Sequence, residues 1–218
     1  MLTLWLWAFL GAVFIALPPL AARGFGFHLD PNQGTSVSLG GVLLSEVVGF
    51  LALLAWIRRR SVPLRSLGFI RPVRWSPVGV ALLFAVGYAG WTLSIPEVRC
   101  RAGEISLLKA WGALVSVIGA LVEETVFRGF LLAELERLGK PSWVQVVVSG
   151  FTFGLLHLGF GGWGIACTTL MGIVLAITYL WGGRSLLAPL AGHALINVAV
   201  EPWLLAYLIT SYASGFPK

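Results

Sequence analysis

Between Leu2 and Ala22 the chain carries no charged side chain, and between Thr35 and Ile57 it carries one, Glu46. Runs of that length and apolarity match the roughly 20 residues that cross a bilayer core as a helix. In hydrocarbon every backbone N–H and C=O has to be satisfied within the protein, and runs without period-2 alternation select helices over a barrel. A mean hydropathy of +0.90 with 11% charged residues lies far outside the range of soluble domains. The 218 residues accommodate about seven spans of roughly 20 residues with short loops. The expected fold is therefore all-α, a polytopic membrane bundle of about seven helices with no separate soluble domain.

Charge fixes the topology. The first run lacks the basic start and small-residue cleavage pattern of a secretory signal, so it reads as an uncleaved span that Pro18-Pro19 ends or kinks. The second stops at Arg58-Arg59-Arg60, and six arginines (58, 59, 60, 65, 71 and 74) crowd the connection that follows. By the positive-inside rule this connection and the N-terminus are cytoplasmic. The net charge of +6 is explained by these loops, beside apolar runs, and not by a nucleic-acid-binding face. Further spans are expected at Pro77 to Ile95, from Ile105 onward, Ser142 to Leu158, Ile165 to Trp181 and Leu186 to about Leu208, with Gly159 to Gly164 as a tight turn. The fourth helix, if continued to Leu138, is roughly 50 Å long against a bilayer core of about 30 Å, so it must tilt, break or protrude. Gly150 and Gly154 have the spacing that lets helices approach closely. Cys100 and Cys167 fit no ligand spacing and leave the redox compartment open.

Ionisable side chains at membrane depth are costly and face a protein interior or a water-filled cavity. The fourth helix holds three of them in Glu123-Glu124-Thr125-Val126-Phe127-Arg128. Helical spacing pairs Glu124 with Arg128 on one face, while Glu123 points about 100° away and is left to act on a proton. Phe153 and His157 stand four apart on the fifth helix, and His193 and Asn197 four apart on the seventh. Counted from the cytoplasmic ends, Glu123, His157 and His193 lie at depths of roughly 12 to 22 Å, so one cavity can hold them. That inventory suits amide hydrolysis, with Glu123 and His157 holding and deprotonating a water while His193 and Asn197 donate to the developing oxyanion. Glu124 and Arg128 are then structural, and Phe153 packs against the wall.

These three ordered motifs resemble those of the CAAX protease and bacteriocin-processing family, the intramembrane glutamate-dependent endopeptidases related to the Ras-converting CAAX endoprotease. The likeness covers about Lys109 to Leu205. It implies that Glu123 activates the water, that His157 is its partner, and that His193 with Asn197 forms the oxyanion hole. It implies no cofactor, and as partners the lipid bilayer and a membrane-associated protein or peptide substrate: a prenylated C-terminus, a sorting tail or a bacteriocin-like peptide. It also implies a bacterial inner membrane, and a division into 1–104, three accessory helices, and 105–218, the catalytic core.

The same residues admit other readings. Glu123, His157 and His193 as zinc ligands make a metalloprotease, although no His-Glu-x-x-His occurs. A non-enzymatic immunity or partner-binding protein would keep the fold, and a transporter or proton relay would use the intramembrane carboxylates but often carries repeats, which are absent here. Glu46 and Glu201 read as structural or cavity-lining groups, with Glu201 a candidate second partner for His193 or Asn197.

Overall fold

The structure, a computed structural model, describes residues 31–59, 63–157, 161–204 and 206–207. Among these residues the regular elements are all helical: α1 (Pro31–Arg59), a 3-10 turn (Leu64–Leu67), α2 (Trp75–Thr92), the short α3 (Pro96–Arg99), α4 (Leu107–Glu124), a π-helical segment (Thr125–Leu131), α5 (Leu132–Arg137), α6 (Ser142–Leu156), α7 (Gly161–Trp181) and α8 (Leu187–Val200). Three of the described helices are long and apolar enough to cross a membrane: Asn32–Arg59, Leu107–Arg137 and Gly162–Trp181. With the apolar character of the shorter α6 and α8, this identifies an integral membrane protein.

The expected span at Leu2 to Ala22 lies outside the described residues. The expectation for the fourth helix holds, because α4, the π segment and α5 run continuously from Leu107 to Arg137, 31 residues. Two boundaries differ. α7 starts at Gly161, so part of the glycine run from Gly159 to Gly164 is helical and not a turn. α8 ends at Val200, where Pro202, which has no N–H to give, interrupts the expected span to about Leu208; a turn at Glu201 and Pro202 follows, and helical residues resume at Trp203.

The chain divides into two compact units. The first takes the described residues up to Val48, Val86–Gly119 and those from Ile196 onward. In it Leu39 and Val115 form a small core flanked by Val42, Leu43, Leu108 and Trp111. Here the Lys109 ammonium donates to the carbonyls of Val198 (2.9 Å), Ala199 (3.2 Å) and Glu201 (2.6 Å). Those are the orphan acceptors of a helix C-terminus, where a cation is also favoured by the helix dipole. Gly112 lies one turn on, where a Cβ would fall 2.7 Å from Pro202 Cδ, so only glycine leaves room for that ring.

The second unit takes Gly49–Ala85 and Ala120–Leu195. Leu132, Ala176, Tyr179 and Leu186 form a core cluster there. α6 meets α7 through glycines: a Cβ on Gly172 would stand 2.9 Å from Gly150 Cα, and one on Gly150 would stand 2.9 Å from the Ile173 backbone nitrogen. Both contacts are with backbone and cannot be relieved by a rotamer change. Gly154 continues the seam, where a Cβ would fall 2.9 Å from the Ile165 carbonyl oxygen. Dispersion between closely approached backbones drives such association in lipid, where the hydrophobic effect is weak.

This seam yields a first prediction. Gly172→Ala forces the backbones apart and should destabilise the protein by about 1–3 kcal/mol, seen as a lower unfolding temperature in detergent. Gly162→Ala, in the same helix with nothing within 4 Å of the added carbon, should change that temperature little.

Candidate functional site

Glu123 and Glu124 are the last two residues of α4, and the π segment begins immediately after them. The local sequence favours that switch. The Thr125 hydroxyl donates to the Leu121 carbonyl at 2.7 Å, a side-chain bond that competes for the acceptor four residues back and loosens the α ladder. Four residues on, Gly129 removes a side chain where a Cβ would lie 2.7 Å from the Leu67 carbonyl oxygen. Single π turns inside α-helices recur at functional sites.

The Glu124 Oε1 oxygen takes two bonds at once, from Arg128 Nη1 at 2.9 Å and from His193 Nδ1 at 2.7 Å. All three residues are buried. Arg128 Nη2 donates to the Gly172 carbonyl at 3.1 Å, which the glycine seam of α6 and α7 brings within reach. Glu124 Oε2 and Arg128 Nε are buried without a hydrogen-bond partner. A carboxylate paired with arginine only accepts, so Nδ1 of His193 carries its hydrogen and donates. Nε2 is then the ring nitrogen that Glu124 does not engage.

Nε2 of His193 stands 3.7 Å from Glu123 Oε2, beyond hydrogen-bond length. Glu123 Oε2 itself is buried and makes no hydrogen bond. The Glu123 side chain keeps 13% exposure against 1% for Glu124, so adjacent carboxylates differ: one is sealed into an ion pair, and the other borders open space.

His157 closes the end of α6, and its Nδ1 donates to the Phe153 carbonyl at 2.9 Å, since a carbonyl can only accept. Its electrostatic neighbours are Glu123, His193 and Arg128. Phe153, fully buried, packs against both imidazoles, with its ring centroid 4.9 Å from that of His157 and 5.6 Å from that of His193. The Arg128 guanidinium carbon sits 4.6 Å from the same ring, and Phe127 meets it edge-on at 5.3 Å. Phe153 is thus the spacer that sets both histidines relative to the cation.

One unit therefore brings together Glu123, Glu124, Arg128, Phe153, His157 and His193. Asn197 belongs to the other unit, where its Nδ2 donates to the Ser116 carbonyl at 3.2 Å. The Glu201 backbone carbonyl, in that same unit, accepts from the Lys109 ammonium at 2.6 Å. Among the described residues no three His, Cys, Asp or Glu side chains group as metal ligands. The sequence gives no signal for Gly172 or Phe127, since neither a backbone acceptor nor a ring packed edge-on against Phe153 has a spacing signature. Glu124 as partner of His193 was also missed. A buried carboxylate with one cation still has lone pairs to fill, and a histidine at matching depth was the available clue.

Residues 105–199 match the family model described as type II CAAX prenyl endopeptidase Rce1-like. This stretch agrees with the likeness carried by the three motifs and contains all seven residues of the predicted site. No curated protein and no solved structure matches the chain.

The shared oxygen makes a second prediction. Arg128→Ala leaves Glu124 buried with its cation gone and should cost about 3–5 kcal/mol, measured as loss of folded protein after detergent extraction. Arg128→Lys should recover only part of that, because a single ammonium lacks the planar fork that reaches both Glu124 and Gly172.

Proposed function

We propose that this chain, whose residues 105–199 form an Rce1-like domain, is an intramembrane endopeptidase that hydrolyses a peptide bond in a membrane-associated protein or peptide by direct attack of water. The observation that carries this reading is the pairing of unlike carboxylates: Glu124 committed to Arg128 and His193, and Glu123 with a buried oxygen that makes no hydrogen bond. In the reaction, Glu123 takes a proton from water as the oxygen attacks the scissile carbonyl, and the C–N bond breaks as that proton passes to the departing amine. His157, held through Nδ1 by the Phe153 carbonyl, presents Nε2 to share in holding the water.

His193 has a more specific requirement. With Nδ1–H committed to Glu124, its Nε2 donates to an oxyanion only when the ring is an imidazolium, and the Glu124 carboxylate stabilises that cation as a buried acid stabilises a catalytic histidine elsewhere. Glu124 is thus a positioning residue of the reaction as well as half of an ion pair. Asn197 as a second oxyanion donor is proposed from the motif spacing alone; one of its two amide hydrogens is committed to Ser116. The substrate classes that fit the family are a prenylated C-terminus, a sorting tail or a bacteriocin-like peptide, and the C-terminal segment 105–218 is the proposed catalytic core with 1–104 accessory.

The decisive experiment compares peptide termini in membranes of cells carrying this chain and cells carrying Glu123→Gln at equal abundance. Termini present only with the intact glutamate are the expected result and name the substrates. Identical sets, with candidate substrates expressed, would sink the peptidase reading in favour of a binding role, and stoichiometric zinc whose removal stops cleavage would replace the direct-water mechanism.

With a substrate in hand, Glu124→Gln should lower kcat by roughly a hundredfold or more with little change in KM. A merely structural Glu124 would instead lower the amount of folded enzyme and leave kcat per folded molecule unchanged.

A further inference from the structure

The segment Phe69-Ile70-Arg71-Pro72-Val73-Arg74-Trp75 is exposed at all seven positions. Four of them are large apolar side chains: Phe69 is 43% exposed, Ile70 61%, Val73 43% and Trp75 73%. An apolar run displayed to water on a connecting loop is unfavourable, and such patches mark surfaces that something covers. This one is held rigidly at both ends. Before it, Leu67 is buried and Gly68, at φ +91°, accepts a hydrogen bond from Leu186 N–H at 3.2 Å. A Cβ on Gly68 would stand 2.6 Å from the Arg184 carbonyl oxygen, so the turn is seated against its neighbour by the absence of a side chain. At the far end Arg74 Nη1 donates to the Trp181 carbonyl at 3.3 Å, and Trp75 opens α2.

Its place in the chain says what faces it. It follows α1, a helix long and apolar enough to span a bilayer that closes on Arg58 and Arg59, and precedes apolar α2. It therefore lies at the boundary between hydrocarbon and water. Charge says the rest. No acidic residue occurs from Val47 to Pro96, so no carboxylate of this stretch competes for Arg65, Arg71 and Arg74.

We propose that residues 65–75 form a binding surface for the headgroups of anionic phospholipids in the cytoplasmic leaflet. Phe69, Ile70, Val73 and Trp75 enter the headgroup and upper acyl layer, while the arginines between them take the phosphate oxygens. The exposed apolar side chains beside the cations suit a headgroup layer with hydrocarbon beneath it. The proposal is independent of the peptidase reading.

The test is the full chain in mild detergent, titrated with phosphatidylglycerol or phosphatidylcholine, with retained lipids counted by native mass spectrometry. The intact chain should retain phosphatidylglycerol in preference, and high salt should weaken that preference. Arg65→Gln with Arg71→Gln spares the Arg74 bond and should reduce the preference by roughly tenfold, with phosphatidylcholine retention unchanged. Ile70→Ser with Trp75→Ser should weaken retention of both lipids alike. Equal retention of the two lipids by the intact chain, or a preference that survives the double arginine substitution, would overturn the proposal. So would a stoichiometric protein partner lost through the same substitutions; if the arginine variant failed to fold, the serine variant and the salt dependence would still decide.

Discussion

Everything in the candidate site hangs on one oxygen atom, Glu124 Oε1, which accepts from Arg128 and His193 together. Burying a carboxylate and a guanidinium is expensive, and their attraction offsets the cost only when the remaining donors and acceptors are served. Here three contributions serve part of the pair, with Glu124 Oε2 and Arg128 Nε left over: the helix supplies the i and i+4 spacing, α8 supplies an imidazole, and the glycine seam supplies the Gly172 carbonyl to the second guanidinium nitrogen. The packing rule that lets two helices touch backbone to backbone is therefore also an electrostatic rule. The same contact that gives dispersion energy presents an acceptor to a cation.

Legibility in the sequence followed the strength of the physical signal. Apolar runs with almost no charge gave helices and membrane, because hydrocarbon tolerates little else. The Glu124 to Arg128 pairing was legible from spacing alone, and so were the close-approach glycines at 150 and 154. What spacing cannot carry is the choice between acceptors. Nothing in the local sequence of His193 distinguishes Glu123 from Glu124 as its partner, since the two differ only by a rotation that tertiary packing resolves. Helix ends were read less well for a similar reason. Glycines at 161, 162 and 164 are permissive of a turn but do not demand one, and α8 was extended past a proline that stops it.

The polar groups outside this centre show how an apolar chain handles its ends. Lys109 gives three donors to the closing carbonyls of α8, so a charge that would be costly alone repairs a defect that would also be costly. Arg101 does related work, hydrogen-bonded to Glu104 and Asn32 with its guanidinium 3.9 Å over the Trp203 ring. In both cases a cation near the ends of helices serves acceptors that lipid cannot.

The π-helical segment at Thr125–Leu131 bears on how this chain can be compared with any other. A π turn bonds i to i+5 where an α turn bonds i to i+4, so it spends one additional residue on each such step. Losing a single residue there would restore α geometry and leave the faces on either side in place, while the numbering beyond it shifts by one residue, which is about 100° of helix. Sequence distance is consequently an unreliable ruler across this helix: an alignment that scores an ungapped match from the glutamates to Arg137 can still put every side chain beyond Leu131 on the wrong face.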